Sequence, residues 1–118
     1  MDFSIENKNN VAIFTLKSNN LDTEISAQLK AKVLIIAQPD IDALFFDLSM
    51  VEYADSAGLG ALLLAYRQMK EYDIPVALIG LQEPVKNLLS LSLIDELFDI
   101  FENTDEAMEF YSREAING

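Results

Sequence analysis

The sequence predicts an α/β domain in which helices cover a mixed β-sheet. Two strand-like segments stand next to each other at the start of the chain, and helix-like and strand-like segments alternate after them. Two strand-like segments in the alternating part are apolar almost throughout, which is typical of parallel sheets buried on both faces. We therefore expect an N-terminal hairpin followed by right-handed strand–helix–strand units, in the order β-β-α-β-α-β-α-β-α.

The hairpin is predicted from two short segments on either side of a polar turn. FSIE at residues 3–6 alternates in polarity, NKNN at 7–10 is typical of a turn, and VAIFTL at 11–16 is rich in β-branched and aromatic residues. We expect the two strands to pair, and a loop to follow at residues 18–20.

The first helix is predicted to begin at Asp22 or Thr23, whose short polar side chains can cap it. Its apolar side consists of Ile25, Leu29, Val33 and Ile36. Pro39 cannot continue a helix and marks its end. ALFFDL at residues 43–48 then predicts a buried strand.

Asp47 is unusual in this apolar segment, because an unpaired buried carboxylate costs free energy. We expect its carboxylate to accept hydrogen bonds from a neighbouring turn. The functional interpretation is that Asp47 lies close to Asp55 and Ser56 and supports the site there.

The second half of the chain continues the alternation. A helix is predicted at residues 57–72, a buried strand at 76–80 and a second helix from Glu83, with Pro84 in its first turn. The apolar side of this second helix consists of Val85, Leu88 and Leu89.

The last quarter begins with a connection at residues 91–94 that has more apolar residues than a loop needs. We expect part of it to be core and part to be a contact surface. An edge strand is predicted at 97–101. Asn103 and Glu106 resemble a capping box and predict a last helix. Its inward side would consist of Ala107, Phe110, Tyr111 and Ala115.

The composition restricts the classes of function. The 118 residues suit one domain, 1–118, and a hydrophobic content of 51% supports a core. With no cysteine there is no disulfide framework and no thiolate metal site, and with no histidine the usual general base is missing. The net charge of −12 disfavours nucleic acid and anionic membranes as partners. No apolar run approaches the ~20 residues of a membrane span, and no secretory signal is present, so we expect a cytoplasmic location.

The candidate functional site is YADSAGLG at residues 53–60, a turn that runs directly into a helix. Asp55 and Ser56 are good N-cap residues, so a serine hydroxyl lies at or next to a helix N-terminus, which favours negative charge. Gly58 and Gly60 in one first turn indicate that something approaches the backbone closely. A plain cap with small residues for packing explains the same pattern. Neither a P-loop nor a dinucleotide fingerprint is present, since Ala61 stands where the P-loop requires lysine.

Residues 46–60, FDLSMVEYADSAGLG, resemble the signature of STAS domains, and among them the bacterial anti-sigma factor antagonists. In that signature an aspartate ends a strand, a short loop follows, and Asp-Ser-Ser/Thr-Gly-Leu-Gly opens a helix. The resemblance extends over essentially the whole chain and implies a STAS-like fold. Two positions differ: Ala57 replaces the usual second hydroxyl residue, and Asn20 replaces the glycine that commonly precedes the Leu-Asp turn.

The resemblance implies that Ser56 is a phosphoacceptor and that the protein switches between partners. The unmodified form would bind an anti-sigma factor with serine kinase activity and free the sigma factor. Phosphorylation would block that binding, and a PP2C-type phosphatase would restore it. ATP would come from the kinase, so no cofactor is expected. The predicted contact residues are Asp55, Ser56, Ala57, Gly58, Leu59, Gly60, Arg67 and Gln68.

Two other classes of function stay open. A non-switching STAS scaffold subunit, for example of a lipid-transport ABC complex, would keep the fold without the switch. An enzyme would need a base beside Ser56, and the chain has no histidine. Asp47 and Asp55 could indicate a magnesium site as in response-regulator receivers, but those domains need an acidic pair after the first strand, where only Glu6 is available. We therefore expect no catalytic and no metal-binding residues.

Overall fold

The computed structural model describes residues 3–36 and 38–117, with the side chains of residues 36 and 113–117 outside the description. The predicted inward positions Ile36 and Ala115 therefore lie outside the described side chains.

Seven strands and four helices make up the described fold. The strands are β1 (Phe3–Lys8), β2 (Val11–Leu16), β3 (Asn20–Leu21), β4 (Ala43–Asp47), β5 (Tyr53–Ala54), β6 (Val76–Ile79) and β7 (Asp99–Phe101). The helices are α1 (Thr23–Ile36), α2 (Ser56–Lys70), α3 (Glu83–Leu91) and α4 (Thr104–Asn117), with a 3-10 turn at Asp95–Leu97.

Five of the strands form one mixed sheet in the order β1-β2-β4-β6-β7. β1 is antiparallel to β2, and the other three pairs are parallel. The predicted α/β domain, with its N-terminal hairpin and alternating parallel units, is therefore confirmed. β3 and β5 form a separate parallel ribbon of two strands, which was not predicted.

The central strands are buried on both faces, and each face has its own core. On one face, Phe14, Leu44 and Phe46 lie in the cluster that includes the buried sides of α1, α2 and α3. On the other face, Phe45 and Ile79 lie in a smaller cluster with residues of α4. This arrangement confirms that the apolar segments of β4 and β6 are doubly buried strands.

The hairpin differs from the prediction in length. β1 continues to Lys8, so the turn consists of Asn9 and Asn10 alone. Their φ angles are 52° and 64°. Asparagine tolerates this left-handed conformation, and a two-residue turn of this kind matches the twist of the two strands.

Two other boundaries differ as well. α2 ends at Lys70, two residues earlier than predicted, where the left-handed Asp73 lets the Ile74 amide donate to the Met69 carbonyl at 3.0 Å. The predicted edge strand at 97–101 is shorter in the structure, where β7 begins at Asp99, because Leu97 belongs to the 3-10 turn.

Residues 91–94, which are the end of α3 and the turn after it, are partly core and partly exposed as predicted, and a contact surface there stays a prediction. Ile94 packs against the core, whereas Leu91 and Leu93 are 83% and 85% exposed. Leu93 also has a φ of 59°, a conformation that glycine adopts more readily than leucine.

The prediction for α4 is partly wrong. Ala107 is buried, but Phe110 is 42% exposed and lies at the edge of an aromatic cluster with Phe101 and Tyr111. The Tyr111 hydroxyl donates to the Asp99 carboxylate, and burial together with this hydrogen bond raises the pKa of Tyr111. This contact holds α4 against β7.

Candidate functional site

The β3–β5 ribbon places the starts of α1 and α2 next to each other. Asn20 pairs with Tyr53 and Leu21 pairs with Ala54. Each ribbon strand leads through one aspartate directly into a helix. The candidate site at the start of α2 therefore lies beside the start of a second helix.

Asp55 is the N-cap of α2. Its backbone is extended, with φ −109° and ψ −175°, and its Oδ1 accepts a hydrogen bond from the Gly58 amide at 3.0 Å. Ser56 is consequently the first helical residue, and it is exposed. Because Asp55 provides the cap, the Ser56 hydroxyl is available for another role.

Gly58 is buried beneath β3. A Cβ at this position would lie 2.5 Å from the Leu21 carbonyl oxygen and 2.8 Å from Leu21 Cγ. The same carbonyl oxygen accepts a hydrogen bond from the Asp55 amide at 3.2 Å. The close approach predicted from the glycine is therefore made by the chain's own ribbon. Two of the predicted contact residues, Gly58 and Leu59, are therefore buried, and Leu59 is only 8% exposed.

Gly60 is different, because its side-chain position is open. The one heavy atom found within 4 Å of a Cβ built there is Lys30 Nζ, at 3.8 Å. Gly60 and Ala57 are half-exposed, and Arg67 is exposed. Residues 56, 60 and 67 lie on one side of α2 by their helical spacing. Gln68, also predicted to be in the contact, is half-buried.

Asp47 organises the loop that leads to the site. Its Oδ1 accepts from the Ser49 amide at 3.0 Å and from the Ser49 hydroxyl at 2.7 Å, which confirms the predicted hydrogen bonding to a turn. The Ser49 carbonyl accepts from Gln82 at 2.8 Å, which ties this loop to the start of α3. A direct role of Asp47 at Ser56 stays a prediction.

Sequence reasoning missed two features near Ser56: Lys30 from α1, and the exposed side chain of Tyr53 (61%). A depression of about 200 Å³ lies beside the cap. It is lined by Asn20, Leu21, Asp22, Tyr53, Ala54 and Asp55. An exposed aromatic side chain beside a serine is a signal for a protein contact, but nothing in the sequence around Tyr53 shows that it is exposed.

Metal clusters and membrane-spanning helices are two further features that bear on function. Among residues 3–36 and 38–117, no cluster of acidic, histidine or cysteine side chains could hold a metal ion. Over the same residues, no helix has both the length and the apolar character of a membrane span.

Residues 2–107 match the family model of the STAS domain. The chain belongs to the STAS domain family, as the motif at residues 46–60 predicted. The match extends from the start of the hairpin into α4, so it includes both helix starts and the ribbon between them.

Solved structures agree with this assignment. A Thermotoga maritima protein proposed to be an anti-sigma factor antagonist is 28% identical, with a TM-score of 0.83 over 93% of this chain and 94% of that chain. The phosphorylated form of the Bacillus cell fate determinant SpoIIAA is 18% identical, with a TM-score of 0.72 over 91% and 96%. The murine anion transporter Slc26a9 is 21% identical, with a TM-score of 0.77 over 88% of this chain and 18% of that chain. The last two likenesses show a common fold.

Proposed function

We propose that the chain is an anti-sigma factor antagonist that acts in the cytoplasm through the start of α2. The unmodified surface around Ser56 binds an anti-sigma factor with serine kinase activity and so frees the sigma factor. The observation that carries this proposal is the exposed Ser56 hydroxyl at the first position of α2, beside a cap that Asp55 alone provides. The likeness to the Thermotoga maritima protein supports it.

Phosphorylation is the switch in this proposal. The kinase transfers the γ-phosphoryl group of ATP to Ser56 Oγ, the hydroxyl proton passes to a base of the kinase, and ADP leaves. A PP2C-type phosphatase hydrolyses the phosphoserine and regenerates the hydroxyl. The phosphate adds about −1.5 to −2 charges at pH 7. Because helix N-termini tolerate negative charge, the fold is retained.

The charge acts on the contact. Ser56, Ala57 and Gly60 present little side-chain volume, while Tyr53 provides exposed apolar area close to the cap. A partner that packs closely here would bury the phosphate, which is costly without a counter-charge. Moving the complex from almost fully bound to almost fully free requires about 10⁴-fold in relative affinity. We place Arg67 and Gln68 at the far end of the same contact.

A paired pull-down from lysate of the source cell tests the proposal. The baits are the wild-type chain, Ser56→Asp and the matched control Ser4→Asp, which adds the same charge on exposed β1. Mass spectrometry should find an ATP-binding anti-sigma factor on wild type and on Ser4→Asp, but not on Ser56→Asp. Thermal denaturation of the three baits should give similar Tm values, so that a lost partner reflects the lost contact and not unfolding.

The second candidate is a non-switching STAS scaffold, which the fold shared with a transporter domain supports. In that case Ser56→Asp would retain the same partners as wild type, and these would be transporter subunits. This result would reject the switch and assign Ser56 to the helix start alone. Retention of the anti-sigma factor by Ser56→Asp would also contradict the proposal.

A further inference from the structure

Lys30 extends from α1 across to α2, one helical turn beyond Ser56. Its Nζ lies 3.8 Å from the Cβ position of Gly60. We propose that Lys30 binds the phosphate of phosphorylated Ser56, so that the domain contains its own counter-ion for the modification. This inference rests on the proposed function, because it needs a phosphate on Ser56.

The ammonium of Lys30 lies on the side of α2 that Ser56 shares. Leu21 pairs with Ala54, so α1 and α2 begin side by side. The Lys30 ammonium reaches α2 at Gly60, four residues after Ser56 on the same side of the helix. Side chains on helices lean toward the N-terminus, so the lysine stem naturally extends toward the start of its own helix.

The remaining distance is within reach of the lysine side chain. Ser56 and Gly60 are four residues apart, and helical neighbours at this spacing have Cβ positions about 5–6 Å apart. A phosphate on Ser56 Oγ extends into part of that space. The four-carbon stem of lysine is flexible and can rotate its ammonium toward the phosphate oxygens. Gly60 adds no side chain that would block the path.

The groups around Ser56 are acidic, so a phosphate there would need a counter-charge, which Lys30 can supply. The carboxylates of Asp55 and Asp22 lie at the two helix caps, and Glu24 follows in the first turn of α1. A phosphate would add charge to this acidic edge of a chain whose net charge is already −12. Within the described residues no ion pair engages the Lys30 ammonium, so its charge is available.

A contact between the phosphate and Lys30 would also change the shape of the surface that a partner binds. In the phosphorylated state, phosphate and ammonium together would cover Gly60, the open position on this side of α2. The modification would therefore block the surface by occupying it as well as by its charge. The alternative is that Lys30 only packs its stem against α2, a role that does not depend on phosphate.

Phosphorus NMR separates these two roles. Phosphoserine is incorporated at position 56 by genetic encoding, so the sample does not depend on any kinase, and the ³¹P shift is titrated between pH 4 and 9. A nearby cation stabilises the dianion, so the phosphate pKa in wild type should be about 0.2–0.7 units lower than in Lys30→Gln. The matched control Lys32→Gln removes an exposed lysine from another side of α1 and should leave the pKa at the wild-type value.

Two further measurements complete the test. Lys30→Arg should restore the lowered pKa, and about 1 M salt should reduce the difference between wild type and Lys30→Gln. Equal phosphate pKa values in wild type and Lys30→Gln, or an equal change in Lys32→Gln, would overturn the proposal. Because the phosphate is installed without a kinase, this failure is distinct from a missing partner in the pull-down.

Discussion

The two helices that begin side by side are capped in the same way. Asp22 Oδ1 accepts from the Ile25 amide at 3.1 Å, and Asp55 Oδ1 accepts from the Gly58 amide at 3.0 Å. Each aspartate follows one strand of the β3–β5 ribbon and precedes an exposed hydroxyl residue. The cap is therefore a common structural device of this fold and does not by itself mark a site.

The difference lies in what surrounds each hydroxyl. Thr23 is followed by Glu24, which would repel a phosphate, whereas the first turn of α2 contains no acidic residue. The third helical position is the buried Ile25 in α1, but Gly58 in α2. The comparison teaches that the surroundings distinguish Ser56 from Thr23, while the cap is the same in both.

The largest expected effect concerns the two glycines of α2. Gly58→Ala would place Cβ 2.5 Å from the Leu21 carbonyl oxygen, so the ribbon and helix must separate. We expect the free energy of unfolding to fall by about 2–3 kcal/mol, as for other overpacked sites. Gly60→Ala meets only Lys30 Nζ at 3.8 Å, and should raise stability by up to about 1 kcal/mol through helix propensity.

Urea denaturation of both variants against wild type measures these changes. The opposite signs are the decisive result, because both substitutions add the same methyl group to the same helix. A loss of stability in Gly60→Ala as large as that in Gly58→Ala would show that the clash with the Leu21 carbonyl is not the reason why Gly58→Ala is destabilising.

A smaller effect is expected from the caps themselves. Asp22→Ala and Asp55→Ala each remove one side-chain hydrogen bond to a helix amide, and each should lower the free energy of unfolding by about 1 kcal/mol. Asn at either position should recover most of the loss, because its oxygen can accept the same bond. Denaturant midpoints check both pairs. A much larger loss at Asp55 than at Asp22 would show that the two starts are not equivalent even structurally.

Much of this architecture was predictable from local sequence patterns. The apolar segments of β4 and β6 predict doubly buried strands by their composition, and the aspartate before each helix predicts a cap by its chemistry. Both signals lie within a few residues along the chain. The STAS motif identified the family for the same reason, because it is a continuous segment.

The features that were missed depend on distant parts of the chain. β3 and β5 have two residues each, too few to show a periodicity, and they form only because they pair with each other. Gly58 beneath Leu21 and Lys30 beside Gly60 are contacts between residues at least 30 positions apart. No local pattern reports which side of one helix meets another, so these contacts required the structure.

The smallest effect is expected from Ser26, which occupies in α1 the position that Leu59 occupies in α2. Both amides donate to the carbonyl of the capping aspartate, Ser26 at 2.8 Å and Leu59 at 3.1 Å. Ser26 is only 2% exposed, and its hydroxyl has no hydrogen-bond partner among the described residues. Ser26→Ala removes a buried polar group without a partner and should raise the free energy of unfolding by about 0.5 kcal/mol.

The matched control for this last variant is Ser90→Ala on the exposed side of α3, which changes helix propensity but no buried polar group. Stabilisation of Ser26→Ala beyond that of Ser90→Ala isolates the cost of the buried hydroxyl. A loss of stability in Ser26→Ala would mean that the hydroxyl contributes to the packing of the helix start. In that case the buried Ser26 hydroxyl would stabilise the start of α1, where α2 has the apolar Leu59. The two helix starts would then differ in their buried residues as well as in their exposed ones.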